Sequence, residues 1–99
     1  MKKCSTLDEV RAEIDRIDTE IVKLIAERGE YVYQAAGFKK SSDEVKASSR
    51  VEEVISRVRN RALSLGADAD VTEAVYRAMI NGFIASEMNV YNRKQVNNG

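Results

Sequence analysis

Apolar residues recur at helical spacing in three stretches of the chain. The first opens on Thr6-Leu-Asp-Glu9, a hydroxyl followed three residues on by a glutamate. That is the capping-box pattern, in which each side chain satisfies an unpaired N–H at a helix start. From there Val10, Ile14, Ile17, Ile21, Leu24 and Ile25 fall at steps of mostly three and four, one stripe on one helix face. The same step carries the stripe onto Arg28, then Val32 and Ala35, and it fades near Gly37-Phe38. A helix over about 6–37 is about 45 Å long, too long to bury its stripe against the rest of so short a chain. A partner chain is therefore implied.

The polar stretch KKSSDEVKAS, 39–48, breaks this pattern and reads as a loop. Ser49-Arg-Val-Glu52 repeats the capping box. Val51, Val54, Ile55, Val58, Ala62 and Leu65 then mark an amphipathic helix over about 49–65 that stops at Gly66. Asp70-Val-Thr-Glu73 resembles a third helix start. Val75, Met79, Phe83 and Ile84 continue it to about residue 93, and the tail KQVNNG is expected to fray. The expected architecture is all-α: one domain over 1–99 with three helices, the first of them long.

Composition agrees with helix. The 99 residues contain no proline and 5 glycines, and 32% are charged. A domain this small has a modest core and often gains stability by oligomerising. Lys+Arg and Asp+Glu balance at 16 each, so no overall field draws the chain to nucleic acid or a membrane. There is no secretory leader pattern and no run of the roughly 18 apolar residues of a membrane span, so a cytoplasmic protein is expected. The single cysteine, Cys4, has no histidine to activate it and reads as incidental. No Cys/His cluster offers a zinc site.

The candidate chemistry lies in four cations. Arg28 lies within the first stripe and Arg11 flanks it. Lys39 stands at the mouth of the loop, and Arg50 in the first turn of the second helix. Helix N-termini favour anions, so a cation there suits an anionic ligand that also meets the open N–H groups. One acid, Glu87, continues the face of Tyr76, Ile80, Phe83 and Ile84 on the third helix. An inward arginine is commonly half of an ion pair or a snorkelling side chain, and Glu87 could be such a partner. Arg57, Arg59 and Arg61 alternate around the second helix and read as solvated surface. Arg11 and Arg28 are 17 residues apart, about 25 Å along a straight helix. One chain's pair cannot clamp one small molecule. If both serve one ligand, Arg11 comes from the partner chain, and two antiparallel first helices create two equivalent sites.

The runs VRAEIDRIDTEIVKLIAER, FKKS, SSRVEEVISRV and YRAMINGFIASEM resemble the all-helical (AroQ-type) chorismate mutases over about residues 7–91. The resemblance implies an intertwined homodimer of three-helix protomers with shared active sites. It implies chorismate as substrate, rearranged to prephenate without cofactor or metal. By the same resemblance, Arg28 and the partner's Arg11 bind the two substrate carboxylates. Lys39 donates to the ether oxygen and a carboxylate, and Arg50 helps gather the carboxylates. Glu87 faces the ether oxygen, and Ala35, Ile80, Phe83 and Ile84 form an apolar wall.

Two departures bear on the reaction. Many members carry acids where this chain has Ala47 and Val51, and the apolar pair looks more like the isochorismate-pyruvate lyase branch, which releases pyruvate and leaves salicylate. The loop, however, lacks the prolines expected in that branch. Glu87 stands where many bacterial members and the lyase have a neutral amide, but glutamate occurs there in some mutases. A protonated Glu87 could donate to the ether oxygen, so turnover is expected to rise toward mildly acidic pH. The sequence therefore points to the mutase first and the lyase as the alternative. A non-enzymatic helical dimerisation module is a third reading, which accounts for the stripe but not for the cations.

Overall fold

A computed structural model describes residues 1–38 and 51–98, with the side chains of 87 and 90–98 left aside. Among the described residues there are three helices and no strand: α1 Leu7–Ala36, α2 Val51–Leu65 and α3 Ala69–Asn98. The fold is all-α. Residues 39–50, with Lys39, Ala47, Arg50 and the first half of the second capping box, lie outside the description. None of the described helices is long and apolar enough to cross a membrane.

The chain forms two compact units, Met1–Tyr31 and Val32–Gly99. In the first, Thr6 caps α1 as its sequence predicts. Its Oγ1 accepts from the Glu9 N–H at 3.1 Å. The return bond lands one residue upstream of the usual partner, with the Ser5 N–H donating to Glu9 Oε2 at 2.7 Å. The α1 stripe stands open to solvent in the single chain: Val10, Ile14, Ile17, Ile21, Leu24 and Ile25 are each 39–62% exposed.

In the second unit α2 packs along α3. Ile55, Val58 and Ala62 of α2 and Ala69 and Ile80 of α3 are buried, as is Ala36 at the end of α1. Leu65, expected on the apolar face, is exposed, because the chain leaves the helix there to turn.

That turn is a Schellman ending. The Ala67 N–H donates to Ala62 O at 2.7 Å and the Gly66 N–H to Leu63 O at 3.4 Å, with Gly66 at φ 75°. A Cβ built on Gly66 meets nothing within 4 Å, so only the left-handed backbone disfavours a side chain. Gly66→Ala is expected to lower stability by about 1 kcal/mol, read as a lower urea midpoint at unchanged slope.

Two expectations about α3 are corrected. Its N-cap is Asp68, not Asp70: Asp68 Oδ1 accepts from the N–H groups of Asp70 at 2.9 Å and Val71 at 3.1 Å. Its far end runs to Asn98, beyond the expected end at about residue 93.

Candidate active site

The first unit places two of the sequence-predicted cations on α1. Arg11 is exposed, near the start of the helix, and Arg28 is half-buried beside the buried Gly29. On a straight helix their separation of about 25 Å stands. They do not meet within one chain's first unit.

The second unit assembles the apolar residues. Ile80 is buried, and Phe83 and Ile84 follow at i+3 and i+4 on the same face of α3, both half-buried. Ala35 is half-buried in the last turn of α1. Tyr33, in that same stretch, meets Phe83 edge-to-face, with ring centroids 6.1 Å apart and planes at 76°. Such pairs stabilise by about 0.5–1.5 kcal/mol beyond burial and fix ring orientation. The stripe carried through α1 does not select Tyr33, whose aromatic character was its only signal. Lys39 and Arg50 lie outside the described residues, as does the side chain of Glu87. Among the described residues no cluster of three or more His, Cys, Asp or Glu is placed to hold a metal.

The structure corrects the reading of Arg59 as solvated surface. Its Nη1 donates to Glu73 Oε1 at 2.8 Å, Asp70 Oδ1 at 3.0 Å and the Ala69 carbonyl at 3.2 Å, joining α2 to the first turn of α3. Arg77 extends the lattice. Its Nε donates to Glu73 Oε2 at 2.7 Å, and its two terminal nitrogens fork onto Glu52 at 3.0 and 3.1 Å. The i, i+4 spacing of Glu73 and Arg77 was visible in the sequence. Their partners on α2 were not, because helical period alone says nothing of the neighbouring helix.

This lattice makes the hairpin acid-sensitive. Hydrogen bonds from Arg77 hold the carboxyls of both Glu52 and Glu73 below the ordinary 4.5, and Arg59 adds to the effect at Glu73. A carboxyl whose folded pKa is depressed contributes stability that is complete above the unfolded value and is lost as pH falls through the folded one. Thermal stability of the wild type is therefore expected to decline as pH drops below 4.5. The decline should be shallower in Glu52→Gln/Glu73→Gln, measured by circular dichroism melts across the acid range.

The sequence profile of the family described as chorismate mutase type II matches residues 10–88. The chain belongs to that family. A relative, the isochorismate pyruvate lyase of Pseudomonas aeruginosa, is 33% identical over 85 residues, covering 86% of this chain and 84% of its own length. The family match takes in Arg11, Arg28, Lys39, Arg50 and Glu87, and the helical fold is the one the family resemblance implies.

Proposed function

We propose that the chain is a homodimeric enzyme that rearranges chorismate to prephenate in two active sites built from both protomers. The observation that carries the reading is the family match across residues 10–88, which includes all five charged residues assigned to the site. The open α1 stripe supports the dimer. Six large apolar side chains on one face are an association surface rather than scattered exposure, and Val10, Ile14 and Ile17 also line a shallow cleft of about 390 Å³. Antiparallel pairing about a two-fold axis between Ile17 and Ile21 brings Arg28 of each chain level with Arg11 of the other.

In this reading the two guanidinium groups fork onto the substrate's two carboxylates and hold its folded conformer. The reaction breaks the ether C–O bond, forms a C–C bond and moves no proton, so it needs no nucleophile or general base. Positioning removes much of the barrier. Donors aimed at the ether oxygen remove more as negative charge gathers there, and Lys39, with a protonated Glu87, has that role. Arg50 completes the carboxylate site. Ala35, Ile80, Phe83 and Ile84 wall it.

A second reading is isochorismate pyruvate lyase activity, yielding salicylate and pyruvate from the same basic pocket. It is favoured by the name of the 33% identical relative and by apolar residues at Ala47 and Val51. One assay separates the readings. Purified protein is incubated with chorismate and, separately, with isochorismate. Loss of chorismate absorbance with formation of prephenate supports the mutase; salicylate fluorescence supports the lyase. Silence on both, with the dimer intact, leaves a helical dimerisation module.

A further inference from the structure

The α2–α3 hairpin has a closed end and an open end. At the closed end, the tight turn at Gly66 and the Arg59 bonds to Ala69, Asp70 and Glu73 fix α2 to α3. The open end is the first turn of α2, 15 residues away and about 22 Å along the helix. A swing of about 3° at the closed end moves the open end by about 1 Å. Arg77 crosses between the helices at that open end. Its fork on Glu52 spans 25 positions of sequence, while its Nε is braced on Glu73, the same carboxylate that Arg59 holds.

We propose that Arg77 is a positioning residue for the active site: its fork on Glu52 pins the open end of the hairpin. It thereby sets where the first turn of α2 stands relative to Ile80, Phe83 and Ile84. The proposal rests on the site reading above. Isolated surface ion pairs contribute little. This one differs in geometry, because three guanidinium N–H groups engage two carboxylates on two helices, and a planar fork fixes angle as well as distance. Arg77 sits one turn before Ile80 on α3, and Glu52 follows Val51 directly on α2. A displacement of about 1 Å at a binding group can lower catalytic efficiency by up to about 10²-fold, so a contact of small stability can have a large functional effect.

The test compares Arg77→Met, Arg77→Lys and Glu52→Gln with wild type, and Arg57→Met as a surface control whose pair with Glu53 lies within α2. Two readouts are taken on folded protein. The first is amide hydrogen exchange at residues 55–58, whose N–H groups close the first turn of α2. Arg77→Met should speed exchange there and leave 61–65 unchanged. The second is steady-state kinetics on whichever of chorismate or isochorismate the wild type turns over. Arg77→Met should lower kcat/KM about tenfold or more, mainly through KM. Arg77→Lys should recover part of it, and Arg57→Met none should be lost. Glu52→Gln added to Arg77→Met should do no further harm, because the two residues act as one contact.

Unchanged exchange at 55–58 in Arg77→Met overturns the clamp. Faster exchange with kcat/KM within twofold of wild type overturns its service to the site. A wild type inert on both substrates overturns the parent reading and with it the positioning role, while exchange still reports whether the clamp exists.

Discussion

An equimolar mixture of Arg11→Ala and Arg28→Ala chains, refolded together, is expected to regain about a quarter of wild-type turnover, although each variant alone is nearly inactive. In the proposed site each substitution removes a forked, charge-assisted contact to a substrate carboxylate. At about 1.5–3 kcal/mol per charged hydrogen bond, a fall of about 10²-fold or more is expected for either homodimer. The mixture is expected to behave differently because, in the proposed dimer, each site draws Arg28 from one chain and Arg11 from the other. In a mixed dimer both lesions fall in one site, and the other site is intact. Random assortment gives about half mixed dimers, each with one of two sites restored.

The prediction follows from a length. Both arginines lie on the same helix, Leu7–Ala36, and about 25 Å separates them, several times the span of a small dianion. If each site used one chain's own arginines, every chain in the mixture would carry a lesion in its own site and no mixing could help. A mixture no more active than the average of its parents, with exchange of chains confirmed by mass spectrometry, rejects the shared site. Sedimentation should show dimers throughout, since Arg11 and Arg28 flank or interrupt the apolar stripe without supplying its area.

The helices were largely legible in the sequence because each carries its own local signals. Thr6 and Glu9 announce α1, and Gly66 ends α2 where a left-handed residue is required. The start of α3 was harder. The run Ala-Asp-Ala-Asp offers two acidic caps, and the Asp70–Glu73 spacing matched the better-known pattern. In the fold Glu73 is drawn instead to Arg59 and Arg77, which leaves Asp68 to take the helix N–H groups. Arg59 was misread for a related reason: a cation on the polar side of one helix has no visible partner until a second helix is laid beside it. Of the site, the face formed by Ile80, Phe83 and Ile84 was legible as period. The contribution of Tyr33 was not, because an edge-to-face contact between α1 and α3 leaves no trace in spacing.

Lys39→Ala is expected to reduce kcat by about 10²–10³-fold while leaving the dimer and its melting temperature unchanged. In the proposed rearrangement the ether oxygen is nearly neutral in the bound substrate and gains charge only as its bond to carbon stretches. A donor aimed at that oxygen therefore stabilises the transition state more than the ground state, and its loss appears in kcat. Lys39 also touches a carboxylate in this reading, so KM should rise as well, but by less, because Arg11, Arg28 and Arg50 still hold the dianion. Lysine suits the position: its ammonium is a compact charge on a long stem and can follow the oxygen as the substrate folds. Lys39 is not among the apolar residues of the stripe, so no loss of association is expected. Steady-state kinetics with sedimentation on the same sample decide the matter. A kcat within about tenfold of wild type would remove Lys39 from the ether oxygen, and a fall accompanied by dissociation would make its role structural.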